Sequence, residues 1–88
     1  MKAIYKYQIH GPGSVVIEMP RGAILLHARE QNDTACIWAQ VDPSEPPEYR
    51  RVFAVETGMT IVPDGGRYLG TAIMINGRYV LHIFEPAN

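Results

Sequence analysis

The sequence predicts an all-β domain, a small antiparallel sandwich or partly open barrel of about seven short strands, and three observations carry that prediction. Glycine and proline interrupt the chain at Gly11-Pro12-Gly13, Pro20-Arg21-Gly22, Pro43 to Pro47, Pro63-Asp64-Gly65-Gly66, Asn76-Gly77 and Pro86, too often for helices. The pieces between are rich in Ile, Val, Tyr, Thr and Phe, residues that fit a pleated, half-buried surface. The 88 residues are 47% apolar and 19% charged, enough to fold around one thin core. A single domain over residues 1–88 follows.

The first strand is expected over 3–9, where alternation sets Tyr5 and Tyr7 on one face and Ile4 and Lys6 on the other. A second spans 14–19. Residues 22–31 are the only window long enough for a helix, but the polar turn and strand-like run 34–41 that follow make a hairpin the better account. Asn32 and Asp33 tolerate left-handed backbone angles, so Gln31 pairs with Thr34. That register faces Ile24, Leu26 and Ala28 against Val41, Ala39 and Ile37 as a core stripe. It leaves Leu25, His27 and Arg29 on the reverse face, opposite Gln40, Trp38 and Cys36.

The Pro-rich stretch holding Glu45 and Glu48 reads as an extended loop, followed by strands at 51–57 and, more briefly, 60–62. The last two strands, 68–75 and 78–84, are joined by Asn76-Gly77, the strongest two-residue hairpin signal in the chain, which pairs Ile75 with Arg78. Leu69, Thr71, Ile73 and Ile75 then oppose Phe84, His82, Val80 and Arg78. On the other face Tyr68, Gly70, Ala72 and Met74 oppose Glu85, Ile83, Leu81 and Tyr79. Both faces are largely apolar, so this hairpin belongs in the middle of a sandwich or at a subunit interface. No helix longer than one turn is expected. Small antiparallel folds must pair or hide their edge strands, and self-association does so, which makes a homo-oligomer the expected state.

Eight Lys and Arg against nine Asp and Glu give a net charge of −1, so no basic field exists to hold duplex nucleic acid or an anionic membrane. Residues 1–9 lack the apolar run of a signal peptide, and nothing approaches the ~20 apolar residues of a membrane span. The single cysteine, Cys36, excludes an intrachain disulfide and a Cys-rich zinc site, and fits the reducing cytoplasm of a cell.

Catalytic patterns are absent. Ser14 and Ser44 sit in or beside turn-rich segments with no nucleophile elbow. His10, His27 and His82 form no His-x-His or His-x-x-x-His pair, so no metal site is expected. His82 reads as a half-buried strand histidine opposite Thr71. The glycine-rich segments lack the Gly-Lys-Ser/Thr of a phosphate loop and read as turns, and no cofactor is expected. An enzyme using His27 or His82 as acid or base is the weakest reading, because partner residues are missing.

The most suggestive group is His27, Arg29, Trp38 and Gln40. An aromatic face beside a guanidinium can stack a base and neutralise a phosphate. The competing reading is a tryptophan packed under a loop or across a subunit contact. Six of the eight basic residues are arginine, which favours planar, bidentate contacts, and Arg67 is a further candidate cation for an anionic ligand.

The blocks Ile4-Tyr5-Lys6-Tyr7, Ile17-Glu18-Met19-Pro20-Arg21-Gly22-Ala23, Trp38-Ala39-Gln40-Val41-Asp42-Pro43, Tyr68-Leu69-Gly70-Thr71 and His82-Ile83-Phe84-Glu85 span nearly the whole chain. Together they resemble a family of small proteins encoded by tailed bacteriophages and prophages. The family has no assigned activity and lends no site residues. The resemblance implies a setting, the infected bacterial cytoplasm, and an accessory role. The expected function is a non-catalytic binding protein that blocks a host defence factor or sequesters a small anionic ligand such as a nucleotide. The alternative is a virion assembly protein that self-associates through its C-terminal hairpin.

Overall fold

The computed structural model describes residues 1–60 and 66–87. They form seven strands: β1 (Ala3–Gln8), β2 (Gly13–Pro20), β3 (Ile24–Gln31), β4 (Thr34–Val41), β5 (Pro47–Glu56), β6 (Arg67–Met74) and β7 (Tyr79–Glu85). All lie in one sheet of order β1-β4-β3-β6-β7-β5-β2, with neighbours antiparallel except for β3 and β6. Among the described residues no helix is long and apolar enough to cross a membrane.

Chain length dictates the shape of this sheet. Laid flat, the six intervals between β1 and β2 would separate them by about 29 Å. Only residues 9–12 join them, and the chain from Gln8 to Gly13 reaches at most about 17 Å. β2 and β3 lie four intervals apart, about 19 Å if flat, yet Pro20 and Ile24 are joined by a chain that spans about 14 Å. The sheet therefore curls into a partly open barrel whose two free edges are β1 and β2. The molecule measures 39 × 29 × 15 Å, the thickness of two walls, β1-β4-β3 and β6-β7-β5-β2, packed face to face.

Every strand turns one face inward. β4 supplies Ala35, Ile37, Ala39 and Val41, and β3 supplies Leu25 and Ala28. From the other wall come Val52, Ala54, Leu69, Ala72, Met74, Leu81, Ile83 and Met19. Alanine recurs at these positions, which lets the walls approach and keeps the core thin.

Two predicted registers hold near their turns and slip farther out. Asn32 and Asp33 have φ of 53° and 62°, and the β3–β4 ladder runs as expected from Gln31↔Thr34 to His27↔Trp38. A bulge at Leu26 then adds one residue, so Leu25 and not Leu26 faces Ala39. Leu25 is 1% exposed, whereas Ile24 and Leu26 are 50% and 44% exposed, contrary to the expected core stripe. In the β6–β7 hairpin the register is as expected from Met74↔Tyr79 to Gly70↔Ile83, and a bulge at Leu69 then sets Tyr68 opposite Phe84. Leu69 consequently lies in the core. The turn is wider than two residues: Ile75, Asn76 and Gly77 all have positive φ, and Ile75 and Arg78 lie outside the strands.

β5 begins at Pro47, so Glu48 sits on a strand and not in a loop. Pro47 pairs with Pro20 at the end of the β2–β5 ladder, where a missing N–H costs little. Of the short strand expected at 60–62, Thr60 is not in a strand and the rest lies outside the described residues. The turn expected at Pro63-Asp64-Gly65 lies outside them as well.

The walls join at the parallel β3–β6 seam, whose ladder contains a single pair, Ala28↔Gly70. Side chains complete the seam. Ile73 N–H donates to Glu30 Oε1 at 2.9 Å, Ile75 N–H donates to Asp33 Oδ1 at 2.8 Å, and the Arg67 guanidinium donates to the Leu25 carbonyl.

Candidate functional site

Alternation turns the other side chains of β1, β4 and β3 to the outer side of this wall, where all but the buried Cys36 are exposed or half-buried. The two ladders align them in three rows: Ile4–Gln40–Ile24, Lys6–Trp38–His27 and Gln8–Cys36–Arg29. Neighbouring Cβ atoms in such rows lie about 5 Å apart. Trp38 thus stands between a lysine and a histidine, with Gln40 and Arg29 one row away on either side. His27, Arg29 and Lys6 are exposed, while Trp38 and Gln40 are half-buried.

The cations on this face are only lightly engaged. Arg29 Nη2 lies 3.5 Å from Glu30 Oε2 with its side chain 62% exposed, a surface pair of small energetic value. Lys6 Nζ donates to Gln31 Oε1 at 2.6 Å, which leaves its charge uncompensated. Glu30 is held elsewhere: the Ile73 N–H bond, with Arg29 adding a smaller pull, keeps its carboxyl below the usual range. A flat indole with Lys6 beside it and Arg29 one row away can stack a planar ring and attract an anionic group.

Four of the five sequence candidates, His27, Arg29, Trp38 and Gln40, share this face. Arg67 does not join them. It is the first residue of β6, and its guanidinium binds Glu85 Oε1 at 3.0 Å and the Leu25 carbonyl. Arg50 reaches the same carboxylate, donating to Glu85 Oε2 at 2.8 Å and to the Ala23 carbonyl at 2.7 Å. This network ties the start of β3 to β5, β6 and β7 across one end of the barrel. Beside it, Tyr49, Arg50, Arg51, Glu85 and Pro86 line an open cleft of about 360 Å³, but Arg50 already donates to the Ala23 carbonyl, Glu48 and Glu85.

His82 lies opposite Thr71 and is half-buried. Its Nδ1 lies 3.1 Å from Thr71 Oγ1 and its Nε2 lies 2.8 Å from Thr57 Oγ1, while Tyr68 OH contacts the same Thr71 oxygen at 2.5 Å. No carboxylate orients this imidazole in the string, so it forms no acid–base dyad. Among the described residues, no three His, Cys, Asp or Glu side chains gather in a way that could hold a metal ion. Ser14 Oγ accepts from Arg51, and Ser44 Oγ donates to Asp42 Oδ1 at 2.7 Å, so both hydroxyls serve local structure.

Lys6 is the site residue that sequence reasoning missed. Alternation separates it from the tyrosines, but its place beside Trp38 comes from a β1–β4 pairing between segments 32 residues apart, for which no turn supplies a signal. The Arg50–Glu85 contact was hidden for the same reason, and the Arg67–Glu85 pair by the bulge at Leu69, which shifts the hairpin register by one residue.

A family model described as Domain of unknown function (DUF7352) matches residues 1–88. No curated protein and no solved structure matches the chain.

Proposed function

We propose, for a chain that belongs to the DUF7352 family of unknown function, a non-catalytic binding role: capture of a small anionic ligand with a planar ring, of the nucleotide class, on the outer face of β1-β4-β3. The observation that carries this reading is the row Lys6–Trp38–His27, with Arg29 and Gln40 on the same face. A stacking surface lies beside Lys6 and Arg29, which attract negative charge, and the ladders fix their spacing. The resemblance of five sequence blocks to proteins of tailed bacteriophages and prophages supports the infected bacterial cytoplasm as the setting, and sequestration of a defence signal as the purpose.

Exposed Ile4, Ile24 and Leu26 around the same patch favour a second reading, in which the face covers a host protein. Virion assembly through the C-terminal hairpin has less to draw on. β6 and β7 have strand neighbours on both sides, which leaves only their outer face for contact.

Native mass spectrometry of the protein purified from bacteria tests the ligand reading. The expected result is added mass of nucleotide size, with Trp38→Ala and Arg29→Ala each weakening ligand affinity by about 1–3 kcal/mol while the fold persists. If Trp38→Ala unfolds the chain and Arg29→Ala leaves affinity unchanged, Trp38 serves packing and the reading fails.

A further inference from the structure

β1 and β2 are the two ends of the strand order, and each leaves one row of backbone groups without a strand partner. Which groups these are follows from the ladders. Ile9 N–H donates to the Ala35 carbonyl at 2.8 Å, in line with the register Ala3↔Val41 through Gln8↔Cys36. Because antiparallel bonding alternates, Tyr5 and Tyr7 point their backbone groups at β4, and Ile4, Lys6 and Gln8 point theirs outward. Arg21 N–H donates to the Pro46 carbonyl at 2.8 Å, continuing the register Pro20↔Pro47. Val15, Ile17 and Met19 therefore bond β5, and Ser14, Val16 and Glu18 face away.

Following the strand directions through the sheet, β1 and β2 run antiparallel. They border the same opening, one on each wall. We infer that the chain forms a twofold dimer in which β1 of each copy pairs antiparallel with β2 of the other. A twofold axis along the strands brings both contacts together at once and closes both edges, so each wall continues into the opposite wall of the second copy.

Three observations select this pairing. In the register that sets Lys6 opposite Glu18, Gln8 falls opposite Val16, so the outward backbone groups of the two edges match in phase. The charges complement each other: Lys6 is a cation, and Glu18 is exposed and has no ion pair among the described residues. Pairing β1 with a second β1 in the register centred on Lys6 would instead set Lys6 beside its own copy, and no β1–β1 register offers it a carboxylate. On the inner face the same register sets Tyr5, 41% exposed, beside Met19, and Tyr7 beside Ile17, two residues at the margin of the core. Val16 is 52% exposed and would be covered on the outer side.

Sedimentation of the full chain without added ligand tests the inference; because the dimer sets Glu18 of the partner subunit beside Lys6, ligand binding at Trp38 is measured separately, in Val16→Pro, which leaves every residue of that face in place. The expected state at micromolar concentration is a dimer. Lys6→Glu and Glu18→Lys should each weaken it about tenfold or more, and the double reversal should restore it. Val16→Pro removes an outward N–H without touching the β2–β5 ladder and should give a folded monomer; if that variant fails to fold, the charge reversals still decide. In a mixture of isotopically labelled and unlabelled chains, zero-length carbodiimide cross-linking should join Lys6 of one chain to Glu18 of the other. A wild-type monomer, an open polymer, or a dimer indifferent to both charge reversals overturns the inference.

Discussion

Ile75 holds a backbone φ of 53°, a conformation that costs a β-branched residue about 1–2 kcal/mol. Its side chain is 51% exposed, so packing returns little. Ile75→Asn should therefore raise stability by about 1 kcal/mol, read as a higher denaturant midpoint at unchanged slope. The bond from Ile75 N–H to Asp33 helps hold this turn, and a second carboxylate, Glu30, receives Ile73 N–H nearby. That bond keeps the folded Glu30 pKa below its ordinary value of 4.5. A lowered folded pKa contributes stability that is present above the unfolded value and lost as pH falls through the folded one. Glu30→Gln should accordingly flatten the loss of stability on acidification below about pH 4.5, measured by urea unfolding across that range. At this scale Trp38, His27 and Arg29 were legible in sequence, because a polar turn at Asn32-Asp33 and period-2 alternation suffice to pair them. Lys6 was not, because its neighbour is fixed by a long-range ladder.

Between elements, the weak point is the β3–β6 seam, where one ladder pair and three side-chain bonds join the two walls. Gly70 is required there: a Cβ at that position would fall on the Ala28 carbonyl oxygen, a backbone atom that cannot move aside. Gly70→Ala should destabilise the protein by about 3 kcal/mol or more, seen as a large drop in thermal midpoint, with hydrogen exchange fastest at β3 and β6. Turn chemistry made both hairpins readable near Asn32-Asp33 and Asn76-Gly77. The bulges at Leu26 and Leu69 left no such mark, since a bulge adds an ordinary residue to an ordinary strand and flips every side chain beyond it. β5 was misjudged at its start because proline at a ladder end looks, in sequence, like proline in a loop.

For the whole molecule, short connections and strand order together compel the curl, and the curl leaves β1 and β2 as free edges. An all-β, partly open barrel was legible from turn spacing and strand composition. The order of strands was not, because only hairpin neighbours announce themselves locally. The outer face of β1-β4-β3 carries Trp38 beside two lightly engaged cations, Lys6 and Arg29. The chain carries one tryptophan, so its fluorescence reports that face alone. The most direct test is a fluorescence titration of the full-length protein with nucleoside monophosphates. Saturable quenching that weakens by about 1–3 kcal/mol in Arg29→Ala is the predicted result. Fluorescence that stays unchanged to millimolar ligand, or that responds in Arg29→Ala and Lys6→Ala just as in the wild type, would contradict a ligand site at Trp38.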